Sequence, residues 1–240
     1  MAKLHDDWHV FPHGSVESVD DGILTVEGEI LMPLGRFPRR MTVVALSTGQ
    51  TVVFSPVPLH EPAMRRIESL GEPGFMVVPN GFHRLDARAW KKRYPQIRVV
   101  CPPGAKKRVE EAVPVDAVID VFGDPSVRFI VLEGTREAES ALSVVRSGGK
   151  TLVLNDIISN IRHPKGLGAN IMARLFGFGV KHPQMAREVR WLLAKDKSAL
   201  ARQLRAWADE SDLRRIIVSH GEIIDAQPND ALRAVASTLD

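Results

Sequence analysis

The chain has 240 residues, 44% of them hydrophobic and 25% charged, an ordinary composition for a globular protein and enough length for a substantial core. Lys and Arg exceed Asp and Glu by 32 − 29 = 3, too few for a nucleic-acid-binding surface. A single cysteine, Cys101, excludes an internal disulfide and a Cys-rich zinc module, and no apolar run reaches the ~18 residues of a transmembrane helix.

The opening stretch MAKLHDDWHVFPHG contains acids and no apolar run, so it does not read as a signal peptide, and a cytoplasmic protein is expected. His5, His9 and His13 recur every four residues, as metal ligands on one helix face can, but Pro12 argues for an exposed irregular segment. β-type segments follow. Residues 22–30 alternate around Ile23, Leu24 and Val26, and residues 31–40, with two prolines and Gly35, read as a loop. Residues 41–46 and 51–54 are β-branched runs joined by Ser47-Thr48-Gly49-Gln50, a hairpin signal. His60-Glu61-Pro62 then opens a helix with Met64, Ile67 and Leu70 on one face, ended by Gly71. His60 is within reach of a site at the sheet edge; a solvated helix entry is the simpler alternative.

The stretch at residues 75–104 organises the rest. Phe75-Met76-Val77-Val78 reads as a buried strand that stops at the turn Pro79-Asn80-Gly81. His83 and Asp86 follow, then a helical pattern with Leu85, Ala89 and Trp90 on one side, closed by Tyr94-Pro95. A second strand covers residues 97–101 and holds Cys101 as a buried thiol. Ionisable side chains at the end of a strand in a strand–helix–strand unit mark the usual place for a site in α/β proteins.

Beyond Gly104, residues 105–112 form a short charged helix, and residues 115–121 and 127–132 are further strands. A second polar strand end follows at Glu133-Gly134-Thr135-Arg136-Glu137. Residues 140–145 and 151–154 read as a hairpin around Ser147-Gly148-Gly149, although Ala138, Ala141, Leu142 and Val145 also have helical spacing. Asn155-Asp156 closes it. Residues 157–212 change to loop and helix, with amphipathic stretches at 185–193 and 198–207, the second capped by Asp196 or Ser198. A late strand, Ile216-Ile217-Val218, ends in Ser219-His220-Gly221, and a helix near residues 231–239 completes the chain. Gly149-Lys150-Thr151 lacks the earlier glycine of a P-loop, and no Gly-x-Ser-x-Gly elbow or His-Glu-x-x-His helix occurs.

This order of features resembles the metallo-β-lactamase superfamily. It is most similar to an uncharacterised family there that shares a Pro-Asn-x-x-His strand end, a helix with Trp, a Tyr-Pro and a Pro-Pro-Gly-like stretch. Here these are Pro79-Asn80-Gly81-Phe82-His83, Trp90, Tyr94-Pro95 and Pro102-Pro103-Gly104. The resemblance implies an α/β (α+β) fold, a four-layer αββα sandwich, as a single domain over residues 1–240 with a helical insertion at about 157–212. Metal-binding members carry His-x-His-x-Asp-His in the first loop, a middle His, a bridging Asp and a last His, and use them to activate water. Here Asp156 matches the bridging Asp and His220 the last His, whereas the first-loop motif and the middle His are absent.

The resemblance therefore implies a degenerate site, with His83, Asp156 and His220 holding one divalent metal ion (zinc, iron or manganese) and one position open. Asp86 or Glu137 would be the proton-transfer carboxylate, with Asn80 and His60 nearby. The expected activity is hydrolysis of a small ester, thioester, amide or phosphoester. The partner is a small molecule, not nucleic acid or membrane, and the oligomeric state is open. The alternative is a non-catalytic binding protein in which the same residues form a hydrogen-bonded polar cluster and hold no metal.

Overall fold

Val52-Val53-Phe54 and Phe75-Met76-Val77-Val78 are apolar without alternation, as befits strands covered on both faces. The structure, a computed structural model, describes residues 4–32, 35–164 and 167–240. A six-stranded sheet holds β1 (Glu17–Asp20), β2 (Ile23–Met32), β3 (Gly35–Ala45), β4 (Gln50–Phe54), β5 (Glu72–Val77) and β6 (Arg98–Val100) in that spatial order. Its first four strands are antiparallel, and β5 and β6 are added in parallel. A four-stranded sheet contains β7 (Val127–Val131), β8 (Ser140–Arg146), β9 (Gly149–Leu154) and β10 (Leu213–Val218), in the order β10-β9-β8-β7. There only β10 beside β9 is parallel.

Helices α1 (Glu61–Glu68), α2 (Ala87–Arg93) and α3 (Lys106–Val109) cover the outer face of the first sheet. Then come α4 (Leu167–Phe176) and α5 (Arg187–Leu192), followed by α6 (Lys197–Ala208) and α7 (Pro228–Ser237), which cover the second sheet. Successive side chains sort into three cores. Val53 and Met76 meet Met64, Ile67 and Trp90, while Val52, Phe54, Phe75 and Val77 meet Leu142, Val144, Val153 and Ile217 of the other sheet. Leu152, Leu154, Ile216 and Val218 meet Leu200, Leu204, Trp207, Leu232 and Val235. Each such aliphatic side chain contributes about 1.5–3 kcal/mol when fully buried. The four-layer αββα sandwich is thus built on strands that feed two cores each.

Four local expectations need correction. Residues 31–40 are strand rather than loop: β2 and β3 pair in register from Ile23↔Val44 to Met32↔Gly35, with Pro33 and Leu34 outside the described residues. Pro38 falls where β3 has outrun β4, so its missing N–H costs no bond on that open flank. Residues 115–121 form no strand beyond an isolated bridge, Val100↔Ala117: the Asp116 and Ala117 amides both turn to the Val99 carbonyl, and aspartate side chains take neighbouring backbone donors. Asp116 accepts from the Val99 amide at 2.7 Å, and Asp120 from those of Phe122 and Phe129 at 3.1 Å. Helix α4 lies in the part of the loop-and-helix stretch 157–212 where no amphipathic run is expected. Finally, α6, placed by sequence inside the insertion, packs as an outer layer with α7.

Candidate metal centre

Three loops at the ends of β5, β9 and β10 meet where the two sheets open. Asn80 lies in the loop just past β5. Its Oδ1 accepts from the amides of Phe82 (2.8 Å) and His83 (3.1 Å), an Asx-type turn that fixes the His83 backbone. Ser55, just past β4, has a φ of 55°, and its hydroxyl lies 2.9 Å from His83 Nδ1. A left-handed serine that anchors an imidazole is local strain of the kind stored at functional sites. His220 is held from three sides. Its Nδ1–H donates to the Pro38 carbonyl at 2.8 Å, its own carbonyl accepts from the Asn160 amide at 2.9 Å, and Arg40 donates to the Gly221 carbonyl at 2.9 Å.

With Nδ1 committed to the Pro38 carbonyl, Nε2 is the His220 atom turned toward the cluster. That atom is 2.9 Å from Asp156 Oδ1 and 3.2 Å from His83 Nε2, and the latter is 3.2 Å from the same Asp156 oxygen. Among the described residues, His83, Asp156 and His220 are the group whose donor atoms converge closely enough to hold a metal ion. The other oxygen of Asp156 accepts from Asn80 Nδ2 at 2.7 Å. Glu139, which the sequence reading missed, lies behind. It accepts from Asn80 Nδ2 at 2.7 Å and from the Asp156 amide at 3.0 Å.

The electrostatics divide this acidic pair. Burial, and then repulsion from Asp156, push the Glu139 carboxyl well above the usual glutamate range, against the hydrogen bonds it accepts. Burial acts upward on Asp156 too, but the charges and hydrogen bonds of His83 and His220 hold it well below. The pair thus keeps its negative charge on Asp156, facing the imidazoles.

One carboxylate oxygen and two imidazole nitrogens are a hard-to-borderline donor set suited to a divalent transition metal. Zinc–donor bonds of about 2.0–2.2 Å in a tetrahedron put donors roughly 3.3–3.5 Å apart. The observed separations need to widen by only a few tenths of an ångström. Both imidazoles have their far nitrogen engaged, His83 by Ser55 and His220 by Pro38, as metal-binding histidines usually do. The residues fit the group.

The cluster forms part of the wall of a cavity of about 410 Å³ whose lining is mainly apolar, with Phe37, Phe82, Phe176, Phe178, Val189 and Leu193, and which also holds charged residues such as Glu27, Arg36 and Glu222. Helices α4 and α5 supply one side. From α5, Glu188 lines the same cavity, its Oε2 buried without a partner among the described residues. Burial, with the Asp156 charge, raises its pKa.

The other sequence candidates lie elsewhere. Asp86 is buried and accepts from Arg39 and from His5 Nδ1, the latter at 2.7 Å; it borders a neighbouring cavity. Glu137 is exposed, and its main-chain carbonyl accepts from the Gly104 amide at 2.8 Å. His60 is exposed beside His13, with ring centres 5.2 Å apart, and lines neither cavity. The N-terminal histidines form no ligand row. His5 serves Asp86, and Trp8 packs on Trp90 and donates to the Leu59 carbonyl at 3.0 Å, so this segment is pinned to α2 rather than solvated.

The architecture is that of the metallo-β-lactamases. No protein-family model and no curated protein sequence matches the chain. Solved structures do. The metallo-β-lactamase DIM-1 superposes with a TM-score of 0.62 at 15% identity, covering 97% of this chain and 100% of that one. VMB-1 gives 0.63 at 12% identity, with 93% and 96% covered. FIM-1 from Pseudomonas aeruginosa, in a mono-zinc form, gives 0.60 at 11% identity, with 95% and 96% covered. At such identities the likeness establishes the fold.

Proposed function

We propose that the chain is a metal-dependent hydrolase of the metallo-β-lactamase type, acting on a small molecule through a single metal ion. The observation that carries this reading is the convergence of His83 Nε2, Asp156 Oδ1 and His220 Nε2 within 3.2 Å of one another at one wall of an apolar cavity. The mono-zinc form of the FIM-1 structure supports a one-ion reading. A divalent cation held there would lower the pKa of a water and polarise a carbonyl or phosphoryl oxygen. Ser55 and the Pro38 carbonyl keep both Nε2 atoms turned inward, and Glu139 and Asn80 hold the Asp156 carboxylate. The aromatic walls exclude water from the substrate's body. Glu188 replaces Asp86 and Glu137 as the candidate proton donor, because its partly buried carboxyl shares the cavity with Asp156.

Metal analysis of the purified full chain, before and after loading with zinc, iron or manganese, tests the reading. About one equivalent is expected, and His220→Ala should lose it. The loaded protein, but not His220→Ala, should turn over at least one of a panel of chromogenic esters, thioesters, amides and phosphoesters. Failure to take up metal under any loading condition would leave a binding protein on this fold.

A further inference from the structure

On the other side of His83 and His220 lies a second cavity, of about 390 Å³, which shares those imidazoles and the rings of Phe37 and Phe82 with the first. Its wall holds three guanidinium groups, from Arg39, Arg84 and Arg108, against one carboxylate, Asp86. That carboxylate is already engaged by Arg39 Nη1 and His5. Arg84 donates through Nη1 to the Gly81 carbonyl and through Nη2 to Glu111 at 2.7 Å. Arg108 stacks over Phe82, 5.2 Å from the ring centre, at the boundary between the cavities.

Arg39 and Arg84 are only 7% and 6% exposed. Even so, Nε and Nη2 of Arg39 and Nε of Arg84 find no acceptor among the described residues. A buried donor without an acceptor costs about 1–3 kcal/mol, and more when it is charged. Three of them on the arginines that line one cavity therefore require an explanation, and an apolar occupant supplies none. These donors are covered as the side chains stand, and a turn of the guanidinium planes would present them to an oxyanion in the cavity. Arginine forks match the oxygens of carboxylate and phosphate, and the Phe11 ring, 5.7 Å from Arg39 Cζ, helps fix the guanidinium.

We propose that this second cavity binds the anionic group, a carboxylate or a phosphate, of the molecule whose reacting bond lies at His83, Asp156 and His220. The link to a reacting bond rests on the hydrolase reading; the anion site itself does not. The substrate class is then bipartite, with an oxyanion beside Arg39 and an apolar body between Phe176, Phe178 and Val189.

Isothermal titration of the full chain with inorganic phosphate, and separately with acetate, tests this. At least one should bind saturably; phosphate alone indicates a phosphorylated ligand and acetate a carboxylate. Arg39→Lys keeps a charge for Asp86 but removes the unpartnered donors, and should weaken binding at least tenfold. Arg108→Ala, at the boundary, should weaken it several-fold and serves if Arg39→Lys does not fold. Treatment of the full chain with a metal chelator should leave anion binding unchanged. No binding of either anion, or wild-type binding in both arginine variants, overturns the proposal and leaves the metal reading standing. Loss of binding after chelation overturns it as well, by placing the anion on the metal.

Discussion

Glu139 has no exposed surface and accepts two hydrogen bonds, from the Asp156 amide and from Asn80. Glu139→Ala leaves the Asp156 amide without its partner, which should cost about 1–3 kcal/mol in urea denaturation. It should also lower metal affinity about 10–100-fold, the usual effect of losing the support of a ligand. Glu139→Gln can accept only one of the two bonds and should fall between. Equal metal affinity in all three proteins would show that Glu139 does not position Asp156. At this scale the sequence was legible only in part. His83, Asp156 and His220 end apolar runs and enter polar loops, so their place at strand ends could be read. Glu139 immediately precedes β8, between Ala138 and Ser140, where a charge reads as solvated, and only the packing of Asn80 against it reveals its use. Glu188 reads as an ordinary first-turn acid of α5, and Ser55 as a residue leaving β4.

The elements that aim these side chains depend on a few tight passages. Gly221 has a φ of 109°, and a Cβ there would lie 2.1 Å from the Asn160 carbonyl oxygen. This close approach joins the loop after β10 to the loop after β9, through the Asn160↔Gly221 bridge. Gly221→Ala should therefore cost at least about 1–3 kcal/mol from backbone strain alone and displace His220. Thermal denaturation and metal content should both fall; a variant with normal stability and normal metal content would refute this account of the loop. Hairpins and buried strands were legible because turn glycines and β-branched runs set them locally. The length of β2 and β3 was not, since two prolines mask a ribbon whose open flank tolerates one. Nor was α4, a helix set among glycines, histidines and prolines.

For the molecule as a whole, the sheets must stay stacked for the site to exist. Asp124, in the loop before β7, accepts from the Ser47 amide of the β3–β4 turn at 2.7 Å and so ties one sheet to the other. Burial acts to raise its pKa, but the Ser47 amide and the amide and hydroxyl of Ser126 hold it down at about 2, below the ordinary 3.8. Because the folded value is the lower one, the stabilisation is complete above about pH 4 and is lost as pH falls toward 2. Asp124→Asn should lose about 1.5–3 kcal/mol at pH 7. Its stability should then change less than wild type between pH 4 and pH 2, as urea denaturation across that range would show. A parallel acid dependence in both proteins would contradict this role. The layer order was legible from the order of runs and strand ends, but the partners across layers were not, because Asp124 and Ser47 meet only in the folded chain.

One feature of the second sheet bears on how the chain is made. β10 pairs in parallel with β9 from the outside, yet about sixty residues separate Leu154 from Leu213. During synthesis the flank of Leu152, Val153 and Leu154 therefore emerges well before the strand that will cover it. In that interval a nascent chain displays an open, sticky margin to any neighbouring strand. Ribosome stalling or proteolytic loss upstream of residue 213 would leave a fragment prone to aggregate, with two-thirds of a metal site and no means of completing it.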